Sequence, residues 1–380
     1  MQPDNLTGIK KKIKVLIYLF GSLGDTIVAI PALRAVRRNF PDAELIVLHD
    51  TQSEAIVRAS QVIPDNLCDG FLSYENQSGK KNKILAFYRL WRKLRKQQFD
   101  AAVYLVISER PARSVRRDKT FFRACGIRRL IGFHPFSPEE LYPVERQGRP
   151  AMTEPEAQRK LKRLQLDGIE TAPEDLRQPL LSFSHAETQK IKNWLGSRRK
   201  KGEARLIAIA PGCKTIANVW ALENFVELGR KLIKAEDAEL IVVGGKAERE
   251  AGEQLIEAWG EGINAAGELS VRESGALLSL CDFFIGLDTG TTHLAAAVGT
   301  RCLGIYGERN NPGHWFPLGM GHKVVYHPVE CAGCRFFVCP IGNHPCMKEI
   351  SVEVVWQNLQ EFIADTESAR SAQRVITIAV

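Results

Sequence analysis

The chain has 380 residues, 44% of them hydrophobic and 25% charged, with a formal net charge of +8. That length favours two domains over one core, and the composition is that of a globular protein rather than a disordered or collagenous one. No apolar run reaches the roughly 20 residues needed to span a bilayer, and the positive balance points to an anionic partner: nucleic acid, lipid or a phosphorylated substrate.

The N-terminus carries basic residues and then an alternating apolar run that leads into a glycine turn without a small-residue cleavage site. It reads as a first strand, Ile13 to Phe20, rather than a signal peptide, which predicts a cytoplasmic protein with mostly reduced cysteines. Gly21-Ser-Leu-Gly24 is a turn, followed by a helix to about Phe40 with a kink or restart at Pro31. Asp25 opens that helix, where a helix N-terminus favours a carboxylate; it can cap the helix or accept a proton from a hydroxyl. The third glycine of a dinucleotide fingerprint is missing. Glu44 to His49 is the second strand.

Lys80 to Lys96 is basic and amphipathic, with no acid between Glu75 and Asp100. Ile84, Phe87, Tyr88, Trp91 and Leu94 share one face, which packs on the first domain, while the basic face suits an anionic membrane surface. After a strand from Asp100 to Ile107 comes an arginine-rich segment. Arg110 and Arg113 in it can hold phosphates on an acceptor, or be ordinary solvated arginines. Glu154 to Leu166 reads as a helix and Thr171 to Pro179 as an interdomain linker.

The second half repeats the alternation. Strands are expected at Leu206–Ala210, Glu239–Val243, Phe283–Ile285 and Arg301–Tyr306. Helices are expected at 222–234, 248–259, 271–280, 291–298 and 352–363. Alternation in both halves predicts two parallel, doubly wound α/β sheets. The run from Gly286 to Gly307 is a strand–turn–helix–strand unit with Asp288 at the strand's carboxyl end. Gly290 there lets a ligand approach the backbone, the first helical amides form an anion site, and His293 faces the same mouth.

Two motifs carry a resemblance. Asp288-Thr289-Gly290-x-x-His293-x-x-Ala296-Ala297, and Gly21-x-x-Gly24-Asp25 followed by Pro31-Ala32-Leu33, resemble segments of the family 9 glycosyltransferases. These are the ADP-heptose:lipopolysaccharide heptosyltransferases and their relatives. The resemblance spans both halves and implies the GT-B architecture, two Rossmann-like domains facing a cleft. It implies an acceptor-binding domain at 1–175, a nucleotide-sugar-binding domain at 176–350, and at 351–380 a helix crossing back with a tail. It makes Asp25 the catalytic base, with Gly24 on the acceptor side. On the donor side it implies Gly244, Glu248 at the ribose, the Leu269 backbone at the adenine, Asp288, Thr289, Gly290 and His293. The family's Lys-x-Trp-Pro departs here to Asn218-Val219-Trp220-Ala221, leaving Lys214 as the substitute cation beside the leaving diphosphate.

The implied reaction is an inverting glycosyl transfer without cofactor or metal, in keeping with the lack of a clear Asp-x-Asp pair. The implied partners are a nucleotide sugar, a lipid-linked saccharide acceptor and an anionic membrane surface at the inner face of the cytoplasmic membrane, with no nucleic acid. Cys331, Cys334, Cys339 and Cys346 include one pair at metal-ligand spacing, but match no common zinc module and read as buried thiols. Two other readings stand beside the transferase. One is a GT-B nucleotide-sugar epimerase; the other is a decayed, non-catalytic protein binding anionic lipid or nucleic acid.

Overall fold

A computed structural model describes residues 12–50, 58–74, 80–145 and 148–372. In the first half, β1 (Lys14–Tyr18), β2 (Glu44–Asp50), β3 (Gly70–Tyr74), β4 (Ala101–Tyr104) and β5 (Arg129–Ile131) form a parallel sheet in the order β3-β2-β1-β4-β5. Its helices are α1 (Leu23–Ile27), α2 (Ile30–Asn39), α3 (Lys80–Gln97), α4 (Ala112–Ala124), α5 (Pro138–Leu141) and α6 (Glu156–Gln165). In the second half, β6 (Arg205–Ala210), β7 (Ala238–Val242), β8 (Ile263–Asn264), β9 (Phe283–Leu287), β10 (Cys302–Ile305) and β11 (Lys323–Val325) are also parallel, in the order β11-β10-β9-β6-β7-β8. Around them lie α7 (His185–Gly196), α8 (Leu222–Glu236), α9 (Arg249–Trp259), α10 (Val271–Leu278), α11 (Gly290–Ala297), α12 (Pro345–Lys348) and α13 (Val352–Ala372).

The central strands are apolar on both faces because helices cover both faces. Val15, Leu16 and Ile17 of β1, like Ile207, Ala208 and Ile209 of β6, are fully buried. Strand order reverses beside β1, which pairs with β2 and β4, and beside β6, which pairs with β7 and β9. Crevices at such switch points, outside the strands' carboxyl ends, are where open α/β sheets take ligands. The loops at those ends carry Gly21–Asp25 after β1, Pro211–Lys214 after β6 and Asp288 after β9.

Of the two outcomes expected at Pro31, the helix restarts: α1 ends at Ile27, and α2 begins with Pro31 in its first turn, where a missing N–H is harmless. The stretch from Thr171 to Pro179 is clamped to α2. Arg34 donates to the carbonyls of Arg177 (2.7 Å) and Pro179 (2.9 Å), and Arg38 pairs with Asp175 at 2.6 Å. Two expectations are corrected. Of the apolar face of α3 only Trp91 and Leu94 pack as expected, with Leu90 beside them; Ile84, Phe87 and Tyr88 remain exposed. Finally, α13 does not turn its described apolar side chains toward the first domain. Val355, Leu359 and Phe362 join the core of the second, because the helix lies on α8, β10 and β11.

The two sheets share a core. One continuous cluster of buried apolar side chains runs from Val15, Ile17 and Ile27 to Ala208, Leu277 and Leu294. Its crossing point is the contact of α1 with α11.

Candidate active site

The turn after β1 is built around a carboxylate. Gly21 has φ +135°, in the region that favours glycine, and a Cβ there would collide with the Asp25 carboxyl group. The space admits that carboxyl group, whose Oδ2 accepts from the Ser22 amide (2.6 Å) and hydroxyl (2.9 Å). Asp25 therefore does cap α1. Burial raises its pKa; the Ser22 bonds and the nearby Lys160 charge pull it down, and Glu156 pushes it up. A capped carboxylate with raised proton affinity remains able to take a proton.

The opposing loops carry the second carboxylate. Asp288 follows β9, accepts from Asn218 Nδ2 at 3.0 Å and lies within the fields of Arg309 and His314. Burial outweighs these and pushes its pKa up to about 6. The Cys213 thiol donates to the Asp288 carbonyl at 3.1 Å. Glu248 turns back on its own helix start, accepting from the Gly245 amide at 2.7 Å, and fits where Gly212 and Gly244 lack side chains. Lys214 is exposed on the loop after β6, Leu269 packs its side chain on the core, and the Thr289 hydroxyl makes no capping bond.

Where α1 meets α11, two glycines allow the close approach of the domains. A Cβ on Gly290 would lie 3.0 Å from Leu23 Cβ and 3.2 Å from the Gly24 amide nitrogen. A Cβ on Gly24 would lie 3.0 Å from His293 Cδ2. Gly290 is thus needed for the approach of the other domain's turn, and its backbone is outside the left-handed region. The expectation for His293 is corrected. It is buried against Gly24 rather than open to a mouth, burial lowers its pKa to about 4, and its Nδ1 has no hydrogen-bond partner among the described residues.

Beside this contact lies a buried ionic cluster that inspection of the sequence missed. Glu156 accepts from the Ser108 amide (2.8 Å) and hydroxyl (2.5 Å), from His314 Nε2 (2.9 Å) and from Lys160 Nζ (3.0 Å). Lys160 also donates to the Leu105 carbonyl at 2.7 Å. Burial opposes ionisation of Glu156, but Lys160, His314 and Ser108 outweigh it and hold the carboxyl far below its ordinary range. Because Glu156 stays ionised and accepts, His314 Nε2 must carry the proton. The cluster ties α6 of the first domain to the 307–322 segment of the second.

Residues 87–344, more than half of the chain, match the sequence profile of glycosyltransferase family 9 (heptosyltransferase). The chain belongs to this family. It is 23% identical over 366 residues to lipooligosaccharide heptosyltransferase 2 of Campylobacter jejuni, covering 93% of this chain and 99% of that one. It is 26% identical over 212 residues to lipopolysaccharide heptosyltransferase 2 of Salmonella typhimurium, there covering 52% of this chain and 58% of the relative. The crystal structure of a family 9 glycosyltransferase from Veillonella parvula superposes with a TM-score of 0.72 at 16% identity, over 93% of this chain and 98% of that one. That of the Escherichia coli ADP-heptose LPS heptosyltransferase II gives 0.65 at 19%, over 93% and 100%. The fold is GT-B, and the protein is a glycosyltransferase.

In this family 9 glycosyltransferase the departure at Asn218 has a visible consequence. The side chain is buried, spends its amide on Asp288 and leaves its Oδ1 without a partner among the described residues. It therefore holds the loop after β6 to the loop after β9. On the first domain, Arg110 is drawn to Asp118 (3.2 Å), whereas Arg113 is exposed on the first turn of α4. Among the described residues no group of three or more His, Cys, Asp or Glu side chains is arranged to hold a metal. Cys346 is drawn into the second core, while Cys331, Cys334 and Cys339 stay half-buried outside it. No described helix is long and apolar enough to cross a membrane.

Three buried groups with displaced pKa values predict opposite pH trends. Asp288 keeps its proton to about pH 6 when folded, against roughly 3.9 unfolded, so its contribution to stability is lost as pH rises through that window. His293 and His322, both lowered to about 4 by burial, act in the reverse sense up to roughly pH 6.5. In Asp288→Asn only the first trend disappears. The variant should gain on the parent by about 1 kcal/mol between pH 4 and pH 7 in urea denaturation, allowing for partial solvent access. A pH-independent difference would refute the assignment.

Proposed function

We propose that this family 9 enzyme transfers a heptose from a nucleoside-diphosphate donor, ADP-heptose, to a lipopolysaccharide-core-like acceptor in a single inverting, metal-free displacement. The observation that carries the reading is the apposition of the two strand–turn–helix units, β1–α1 with Asp25 and β9–α11 with Asp288. It brings the turn that carries a carboxylate of raised proton affinity in one domain against the start of α11 in the other. Asp25 takes the acceptor hydroxyl proton as that oxygen bonds to the anomeric carbon. The bond from that carbon to the diphosphate oxygen breaks, and the nucleoside diphosphate leaves.

Backbone amides at the start of α11 stabilise the departing charge, with Lys214 supplying the cation that Asn218 does not. Asp288, with Thr289 beside it, and Glu248, in the loop after Gly244, hold the nucleoside, with the Leu269 backbone at the base. The acceptor's phosphates meet Arg113 and the Gly24 turn, while Arg110 turns one edge of its guanidinium to Asp118. The names of the similar proteins, heptosyltransferase 2 and ADP-heptose LPS heptosyltransferase II, support the choice of sugar.

The test is transfer from ADP-heptose to a heptose-deficient lipopolysaccharide core, together with calorimetric titration of ADP. Turnover with ADP binding is expected. Absence of both would defeat the reading, and ADP binding without turnover would favour the decayed-transferase alternative.

The working place proposed is the cytoplasmic face of an anionic membrane, supported by Arg89, Arg92, Lys93 and Lys96 on the exposed side of α3. Each such charge contributes roughly 1 kcal/mol near an anionic surface at low salt. Replacing the four by glutamine should release the protein from phosphatidylglycerol vesicles into the supernatant. Equal sedimentation with neutral and anionic vesicles would exclude the contact.

A further inference from the structure

A cavity of about 550 Å³ lies over the carboxyl ends of β1, β2 and β3, roofed by α3 and α4. Its size is that of a small-molecule site, roughly 300–1,000 Å³. The void beside Asp288 is far smaller, about 20 Å³. Phe20, Leu48, Phe87, Leu90, Phe121 and Phe122 are among the residues that line it.

The polar groups lining the cavity are largely spent on one another. The Tyr18 and Tyr74 hydroxyls are bonded together at 3.1 Å. Asp118, buried, accepts from Tyr104 (2.9 Å), from Arg110 (3.2 Å) and twice from Arg117 (2.7 and 3.0 Å). Two guanidinium groups against one carboxylate leave one positive charge at the rim, and the buried Arg110 Nε has no partner among the described residues. A sugar in this cavity would bring many hydroxyls to few unspent partners, and each unmet one is costly. An alkyl chain ending in an anion meets both properties of the site.

The roof points to where such a chain comes from. Phe87 is 44% exposed, and Ile84, Leu85 and Tyr88 beside it are 73%, 47% and 52% exposed. Arg89, Arg92 and Lys93 follow on the same helix. An apolar patch bordered by cations is the pattern of a helix lying at an anionic lipid surface.

We propose that this cavity receives one acyl chain of an anionic membrane phospholipid, with its phosphate held by Arg117 and the free edge of Arg110. The chain enters past Phe87, under the face of α3 that rests on the bilayer. The site does not rest on the heptosyl-transfer reading.

The test is calorimetric titration of the full chain with lysophosphatidylglycerols of increasing chain length, each below its micelle concentration. Affinity should tighten roughly fourfold per added methylene, the equivalent of about 0.8 kcal/mol, and then level off when the cavity is full. Glycerophosphoglycerol, which has no chain, should not bind, and the zwitterionic lysophosphatidylcholine should bind about tenfold more weakly. Ala86→Trp, which fills the cavity from α3, should weaken binding at least tenfold, and Arg117→Gln should abolish the preference for the anionic head.

Affinity independent of chain length would overturn the proposal. So would unchanged binding in a folded Ala86→Trp protein, or displacement of the lysolipid by a chain-free core oligosaccharide, which would make the cavity a sugar subsite. If Ala86→Trp does not fold, the chain-length series decides. Transfer to a chain-free acceptor should be unaffected in Ala86→Trp. Absence of transfer in the parent protein would strike the function proposed above and leave the lipid site standing.

Discussion

Asp25→Asn is expected to lower heptosyl transfer by about 100- to 10,000-fold while leaving affinity for ADP unchanged. The replacement is nearly isosteric. Its amide oxygen still accepts from the Ser22 amide and hydroxyl, and the space left by Gly21 still holds it, so α1 keeps its cap. What is lost is basicity. Transfer and ADP titration measured on the same preparation separate the possibilities: near-normal turnover removes Asp25 as the base, and a parallel loss of ADP affinity makes it a binding residue.

Lys160→Met is expected to destabilise the fold by about 3–5 kcal/mol, the cost typical of removing one partner from a buried ion pair. Both Lys160 and Glu156 are almost wholly inaccessible, so the orphaned carboxylate has no water to turn to. Ser108 and His314 would remain as its partners. The double variant Lys160→Met/Glu156→Gln should recover part of the loss, because no uncompensated charge is then left inside. Urea denaturation at neutral pH measures both. A loss below about 1 kcal/mol in the single variant would mean that water reaches the cluster and that it does not lock the domains.

What could be read from residues alone differs sharply between the strands and the joints. The central strands of both sheets announce themselves as short apolar runs, because a strand covered on both faces has no polar side to show, whereas the short outer strands β3, β5, β8 and β11 gave no such signal. The Gly21–Asp25 and Asp288–His293 turns were legible for a related reason: a carboxylate at the end of an apolar run is a local pattern. α6 was legible only as a helix. Nothing in the pattern marked Glu156, Arg159, Lys160 and Arg163, which are all buried. Their partners Ser108 and His314 lie 48 and 158 residues from Glu156. A spacing signal did exist, since Glu156 and Lys160 are one helical turn apart, but that spacing is common on exposed helices as well.

α3 was half legible. Its apolar stripe is real, but periodicity cannot tell a stripe that finds a partner from one that stays open. Leu90 and Leu94 meet the first sheet, and Ile84 and Tyr88 meet nothing that buries them.

By itself the sequence determined the alternating architecture of two parallel sheets, their central strands, the two carboxylate-bearing turns and the family to which they belong. These depend on interactions among neighbours in the chain and on which side chains avoid water. Only the tertiary structure decided what those turns face. Gly290 serves the approach of Leu23 and Gly24 rather than a ligand alone, His293 is sealed against Gly24, and Asn218 holds Asp288. It also decided that Glu156 bridges the domains and that a cavity lies beneath α3. The reason is that burial and its effects on charge are set by groups brought together from distant parts of the chain. A side chain's sequence neighbours do not report whether water will reach it.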